Sequence, residues 1–118
     1  MDQDTRPPGK TTVAPDVLVE IARMAALKVK GVYAMAPVSG GVNRIFRRGI
    51  VDGVRITVEE DIVFVDLYIV LENNVNIRNI SRTVQEKVTR AITEMVGMDV
   101  AEVNIHIENI AYKNEAEA

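Results

Sequence analysis

Residues 54–71 carry the pattern that most constrains how this chain can fold. In both halves of the segment apolar residues recur at every second position, the period of a strand with one buried face. The halves flank an acidic pair, Glu60-Asp61, where the chain must reverse direction. The segment therefore predicts an antiparallel hairpin, closed either by a two-residue turn or by a four-residue loop over residues 59–62 with the same register.

The register of this hairpin follows from the requirement that its apolar residues share one face. A shift by one residue would expose the whole apolar set to water. On the opposite face the predicted register sets Arg55 against Asp66 as a cross-strand ion pair. The predicted apolar pairs are Val58 with Val63, Ile56 with Val65, and Val54 with Leu67.

Helix and strand signals organise the rest of the chain. Pro15 suits the first turn of a helix that ends by Gly31. Asn76 and Gly97 suit the N-cap and the C-terminal stop of a second helix. The predicted elements in chain order are a strand at residues 10–14, a helix from residue 15, a strand at 32–36, the hairpin, a helix from residue 77 and a strand at 101–111.

This order, β-α-β-β-β-α-β, predicts an α+β fold. Right-handed crossovers between parallel strands would place both helices on the same side of the sheet. The expected architecture is a two-layer sandwich, a mixed β-sheet with two helices on one face. A length of 118 residues suits one such domain. We expect a disordered leader over residues 1–9, the α+β domain over 10–112 and a frayed acidic tail over 113–118.

The composition excludes several classes of functional site. There is no cysteine, and the single histidine has no serine or second histidine at the spacing of a triad or metal site. The net charge of −3 argues against nonspecific nucleic-acid binding. No signal peptide is visible and no apolar run reaches the roughly 20 residues of a membrane span. We therefore expect a cytoplasmic protein that is not an enzyme and has no cofactor, metal or catalytic residues.

The long loop over residues 37–53 contains the one segment that could form a ligand site. Ser39-Gly40-Gly41 would present backbone N–H groups to an anion, and the arginines after it would add charge. A flexible connector with solvated arginines is the favoured interpretation, because neither a Walker nor a Rossmann spacing is present. The candidate anion-binding or membrane-binding residues are Arg44, Phe46, Arg47 and Arg48.

The sheet face that the helices leave open is the candidate interface. Aromatic and aliphatic side chains lie there among charged ones, which is how protein interfaces are usually built. His106 falls on the same face and is interpreted as an ordinary surface residue. The candidate interface residues are Phe64, Tyr68, Val70, Arg55, Asp66 and Glu108.

Six short segments share their pattern with one known family. They are residues 13–18, 63–68, 75–77, 84–88, 95–98 and 102–107. Together they resemble the bacterial alkaline shock protein family, also called envelope stress response proteins, over about residues 10–110. The spaced Val-Asn-Ile-His-Ile ending is fairly specific to that family. One departure is Arg78, which stands where the family often begins its second helix with proline.

The resemblance implies a small, cytosolic, non-enzymatic protein with no catalytic residues to carry over. Some members of this family are held at the membrane by a separate membrane-spanning partner. By resemblance the chain is expected to be a homo-oligomeric scaffold that binds a membrane-anchored protein, in the cytoplasm or at the inner face of the cell membrane. Two alternatives stay open: a small nucleic-acid-binding module, and a lipid- or anion-binding regulator that uses the arginine loop.

Overall fold

The computed structural model describes residues 8–37, 50–51 and 53–112. These residues form two helices and five strands. In chain order the elements are α1 (Pro15–Leu27), β1 (Val32–Met35), β2 (Ile50–Val51), β3 (Val54–Glu59), β4 (Ile62–Glu72), α2 (Ile77–Val96) and β5 (Asp99–Ala111).

The strand β4 is the centre of the sheet. Along one edge it pairs antiparallel with β3 over its first half and with β1 over its last residues. Along the other edge it pairs parallel with β5 over its whole length. The short β2 adds an outer antiparallel pair to β3. The sheet is therefore mixed, as predicted, and its longest buried strand has partners at both edges.

The strands β1 and β3 meet end to end beside Tyr68. The Ala36 N–H donates to the Tyr68 carbonyl at 2.8 Å, and the Tyr68 N–H donates to the Gly53 carbonyl at 2.8 Å. The chain therefore leaves the edge of β4 after β1 and returns to that edge before β3 at the same point. Gly53 has a φ of +79°, and a Cβ there would lie 2.7 Å from the carbonyl oxygens of Ala36 and Tyr68. Only glycine fits this junction.

The β3–β4 hairpin has the register that the sequence pattern predicts. All four predicted cross-strand pairs are formed. Glu59 pairs with Ile62, which leaves only Glu60 and Asp61 in the turn. Both turn residues have positive φ, 52° and 66°, as a type I′ turn requires. Glutamate does not favour that backbone conformation and aspartate only tolerates it, so the strand register holds the turn in place rather than the reverse.

Three of the four helix ends lie at signals that the sequence carries. Pro15 opens α1, where its missing N–H leaves no hydrogen bond unmade. In α2 the Asn76 side chain accepts a hydrogen bond from the Asn79 N–H at 2.9 Å, which caps the first turn. Gly97 ends α2 in the left-handed conformation, with a φ of 78°. Only the end of α1 differs, because that helix stops about one turn before Gly31.

Both helices pack on one face of the sheet and share a single core with it. The apolar stripes of α1 and α2 face this core, and alternate residues of β4 point up into it. The α+β two-layer fold is therefore confirmed. The residues of β4 that are 0% exposed are Val63, Val65, Leu67, Ile69 and Leu71.

The predicted first strand is wrong. Residues 10–14 have neither helical nor strand structure, although threonine and valine favour strands. Strand propensity alone does not make a strand, because the backbone also needs a neighbouring strand to pair with. The described residues contain a two-residue strand, β2, that was not predicted, so the observed order α-β-β-β-β-α-β roughly matches the expected one.

Three expectations concern residues outside the described ranges. These are most of the leader, at residues 1–7, the acidic tail at 113–118, and the candidate loop with Arg44, Phe46, Arg47 and Arg48. All three stay predictions.

Val84 provides a test of the core. It is 0% exposed at the middle of the apolar stripe of α2. We expect Val84→Asp to lower the melting temperature by more than about 10 °C, because an unpaired buried carboxylate costs several kcal/mol. Arg82→Asp, which places the same acid on the exposed side of α2, is the matched control and should melt close to the parent. Equal melting of the two variants would contradict the assigned stripe.

The β3–β4 turn provides a second test. Replacing Glu60-Asp61 by Asn-Gly puts residues that tolerate positive φ where the backbone requires it. We expect a stabilisation of about 1 kcal/mol, seen as a higher denaturant midpoint with an unchanged slope. Glu60→Gln/Asp61→Ser removes the same charges without supplying the conformational preference. If that control stabilised the protein as much, charge repulsion and not backbone strain would explain the gain.

Candidate interaction face

The sheet face opposite the helices is the part of the fold with the most site-like composition. We call it the open sheet face. Side chains alternate along a strand, so the residues of β4 that do not enter the core point to this side. All of those at its centre are half-buried: Phe64, Asp66, Tyr68 and Val70.

Asp66 is the hub of a hydrogen-bond network on the open sheet face. Its Oδ2 accepts from Arg55 Nε at 3.3 Å and from Arg55 Nη2 at 3.1 Å. Its Oδ1 accepts from Asn104 Nδ2 at 3.2 Å and lies 3.2 Å from His106 Nε2. Arg55 belongs to β3, whereas Asn104 and His106 belong to β5. One carboxylate therefore ties three adjacent strands together.

The network also fixes the charge of Asp66. Partial burial raises the pKa of Asp66. Hydrogen bonds from His106, Asn104 and Arg55, together with the charge of Arg55, lower that pKa by more than burial raises it. The net pKa lies below the ordinary value of 3.8, so the group is a carboxylate at neutral pH. The Asp66 side chain is only 16% exposed and that of Arg55 37%, so this ion pair is partly shielded from water.

Tyr68 and His106 form a stacked aromatic pair beside this network. Their ring centroids are 4.5 Å apart and their planes differ by 12°. The parallel register of β4 and β5 sets the two residues opposite each other, so the backbone pairing itself produces the stack. The sequence predicted only an ordinary surface position for His106. The structure instead joins this residue to both Tyr68 and Asp66.

Five of the six predicted interface residues lie together on the open sheet face. Four occupy alternate positions of β4, and the fifth faces them from β3. Aromatic or aliphatic side chains stand on both sides of the charged centre along β4. The five are Arg55, Phe64, Asp66, Tyr68 and Val70.

Glu108 departs from the alternation predicted for β5. Ile107 pairs with Ile69, but Asn109 rather than Glu108 pairs with Val70. Glu108 is thus the extra residue at a strand irregularity. The residue of β5 that pairs with Val70 is therefore an asparagine, not the expected Glu108.

The network contains residue types found in catalytic sites but lacks their arrangement. In the part of the chain that the structure describes, no serine or threonine hydroxyl bonds to His106, so there is no nucleophile–base pair. No group of three or more His, Cys, Asp or Glu among those residues could hold a metal ion. The acidic residues of the β3–β4 turn are exposed and lie apart from the network. What Asp66 and its partners supply is an internally paired polar centre within an apolar surface.

The described helices have no membrane-spanning candidate among them. With 20 residues, α2 approaches the length of a span, but arginine, lysine and glutamate recur along it. With 13 residues, α1 is too short.

Comparison with known families agrees with the resemblance seen in the sequence. The sequence profile of the alkaline shock protein 23 family, which has a cell envelope-related function, matches residues 3–112. The chain belongs to this family. The match extends from before α1 to the end of β5, so the open sheet face lies within the alkaline shock protein 23 domain.

Three curated members of this group are similar over most of their length. YqhY of Bacillus subtilis is 31% identical over an alignment of 119 positions, which covers 99% of this chain and 88% of YqhY. YloU of the same organism is 26% identical over 110 residues, covering 90% of this chain and 92% of YloU. Spy1535 of Streptococcus pyogenes is 30% identical over 105 residues, covering 86% and 79%. All three are named as uncharacterized proteins, so they support membership in the family and supply no activity.

Two solved structures share the fold with this alkaline shock protein 23 domain. A histidine-to-alanine variant of MamM-CTD superposes with a TM-score of 0.52 at 12% identity, covering 81% of this chain and 98% of the other. A histidine-to-glutamate variant of MamM CTD superposes with a TM-score of 0.50 at 13% identity, covering 80% of this chain and 93% of the other. At such identities the likeness concerns the fold alone.

The lowered pKa of Asp66 predicts how the protein responds to acid. A depressed pKa in the folded state gives stability that is present above the unfolded value of about 3.8. That stability is lost as the pH falls through the lower, folded pKa. We expect Asp66→Asn to lower the free energy of unfolding by about 1 kcal/mol at neutral pH. When the pH falls below about 3.8, the stability of this variant should decrease less than that of the parent. Denaturant unfolding over an acid pH series measures both effects.

A matched control separates this network from the general effect of removing a carboxylate. Asp99→Asn changes an exposed residue of β5 outside the network. This variant should keep the acid dependence of the parent. The same acid dependence in Asp66→Asn as in the parent would show that the Asp66 network does not stabilise the fold.

Proposed function

We propose that this member of the alkaline shock protein 23 family is a non-enzymatic scaffold of the cell envelope. In this proposal it self-associates through the open sheet face and binds a membrane-anchoring partner. The cell envelope-related function of the family supports the setting. The single observation that carries the proposal is the row of partly exposed apolar residues around the charge-paired Asp66.

The apolar row is more extensive than a sheet exposed only to water requires. Phe64, Tyr68 and Val70 are all partly exposed along one strand, and Ile62 at the start of the same row is 36% exposed. Apolar surface of this kind with polar groups at its edge marks sites of association. Tyrosine suits such a surface because its ring buries area while its hydroxyl can still find a hydrogen-bond partner.

The charged centre of the face is suited to burial against another protein. Asp66 already interacts with three side chains, so covering it would not leave an unpaired carboxylate. The guanidinium of Arg55 has five N–H donors, and those not directed at Asp66 can reach an acceptor on a partner. A centre of this kind contributes orientation and specificity more than affinity.

A second copy of the chain is the simplest occupant of the open sheet face. A twofold axis would set the apolar row of one copy against that of the other. Because Arg55 compensates Asp66 within each copy, repulsion between the two charged centres would be small. Self-association would also present several copies to one membrane-anchoring partner and so raise the effective concentration for binding.

The open sheet face gives less support to a nucleic-acid-binding function. Such a surface needs unpaired basic groups and aromatic rings that are free to stack on bases. The one arginine in this network, Arg55, is bound to Asp66, and the Tyr68 ring is stacked on His106. Glu102, bonded to Asn104, adds a further carboxylate beside the network.

Phe64→Ser combined with Tyr68→Glu tests the proposal. Both side chains point away from the core, so we expect the variant to remain folded. Its association should be lost, since the change removes apolar area and adds a charge at the centre of the face. Sedimentation at several concentrations measures association, and thermal melting measures folding. Thr57→Arg, at the exposed position that pairs with Phe64, obstructs the same face without truncating a side chain.

The matched control makes the same kinds of change on the helix side. Val17 and Leu27 of α1 are 47% and 36% exposed, so Val17→Glu/Leu27→Ser should leave association intact. A folded Phe64→Ser/Tyr68→Glu variant that still associates would contradict the proposal. A parent protein that is monomeric at all accessible concentrations would contradict it as well.

A further inference from the structure

A groove runs between α1 and α2, on the side of the molecule away from the open sheet face. It has a volume of about 790 Å³, within the usual range of pockets that take up ligands. Apolar side chains from both helices and from the turn after α1 form most of its floor. Those of the floor are Ile21, Ala25, Val29, Ile80 and Ala91.

Two methionines leave additional apolar surface exposed at this groove. Met24 of α1 is 46% exposed and Met95 of α2 is 70% exposed, and both line the groove. The flexible, polarisable methionine side chain adapts to the shape of an apolar partner and is common on surfaces that bind helices. The groove can therefore extend its apolar contacts around an inserted side chain.

The rim of the groove is positively charged. Lys28, Lys30, Lys87 and Arg90 line it, against the single carboxylate of Glu94. Arg90 lies 3.8 Å from Glu94, whereas none of the three lysines has an ion-pair partner among the described residues. The whole chain has a net charge of −3, so this local excess of cations opposes the overall balance. It favours an occupant that carries carboxylates.

We propose that this groove binds an acidic amphipathic helix from a partner protein. Apolar residues spaced three and four apart would lie along the floor, between Met24 and Met95. Aspartate or glutamate residues beside that stripe would reach the free lysines. The bound helix would pack across α1 and α2, on the side of the helix layer that faces away from the sheet. This inference concerns a different surface from the proposed self-association and does not depend on it.

The shape of the groove distinguishes a helix from the other possible occupants. A membrane surface favours apolar side chains that protrude together from a basic face, whereas this floor lies between two helices. A second copy of the chain has no suitable helix to offer among the described residues. The apolar stripes of both α1 and α2 already face the core.

A panel of synthetic fluorescein-labelled peptides tests the proposal. Each peptide is about 18 residues long and combines a leucine stripe at helical spacing with glutamates beside it. Scrambled peptides keep the composition and break the stripe. Fluorescence anisotropy with the full chain should show binding of the striped peptides, and binding of the scrambled ones about tenfold weaker or less.

Matched charge reversals locate the binding site. Lys28→Glu/Lys87→Glu alters the exposed rim and should weaken binding at least about tenfold. Arg78→Glu/Arg82→Glu makes the same charge change on α2 outside the groove and should weaken it less than about threefold. Met95→Ser should weaken binding without changing the melting temperature, because that side chain is mostly exposed. Phe64→Ser/Tyr68→Glu should bind the peptides normally, so this proposal and the self-association proposal can fail separately.

Several results would overturn the groove proposal. Equal binding of striped and scrambled peptides, or equal weakening by the two charge reversals, would indicate nonspecific attraction. No binding by any peptide of the panel would also overturn it. The groove would be assigned to a lipid surface if the protein bound phosphatidylglycerol vesicles but none of the peptides, and if Lys28→Glu/Lys87→Glu abolished the vesicle binding. Loss of self-association in that variant would assign it to a second copy.

Discussion

Alternating burial along β4 is the constraint on which the rest of the structure depends. Five of its residues, from Val63 to Leu71, are 0% exposed and receive the apolar stripes of both helices. Strand geometry then turns the intervening residues to the other side of the sheet. The open sheet face is therefore a direct consequence of the core. Because β4 is also paired along both edges, its two faces are the only surfaces it has left. One carries the helices and the other carries Asp66.

Local signals were enough to predict most of this fold, and long-range pairing decided the rest. The hairpin register, the Asn76 cap and the Gly97 stop each depend on neighbouring residues, and all are confirmed. The network around Asp66 was only half predicted. Its link to Arg55 lies within the hairpin, but its links to Asn104 and His106 require β5 to lie beside β4. The residues alone left that strand order open, because α2 intervenes between the two strands. A prediction that β4 and β5, the strands on either side of α2, pair in parallel would also have predicted the stacking of Tyr68 on His106.

The errors in the sequence-based prediction have the same physical origin. Residues 10–14 have strand-forming side chains but no strand to pair with, and pairing is a property of the whole sheet. Glu108 lies at an irregularity in the β4–β5 ladder that the alternating pattern of β5 does not reveal. The turn at Glu60-Asp61 is a converse case, in which a correct register imposes an unfavourable backbone conformation on two ordinary residues. In each case the pairing of strands in the sheet, and not the local conformational preference of the residues, determines the structure.

The two sides of the molecule differ in chemistry, and this difference is the basis of the proposed scaffold. The open sheet face combines apolar residues with an internally paired charge, whereas the helix side has an apolar groove with lysines on its rim. The most direct measurement of the central claim is side-chain NMR over about a hundredfold dilution. The account predicts that the ring signals of Phe64 and Tyr68 shift with concentration while the methyl signals of Met24 and Met95 stay constant. Shifts confined to the two methionines, or an absence of shifts in a protein that sediments as a monomer throughout, would contradict it.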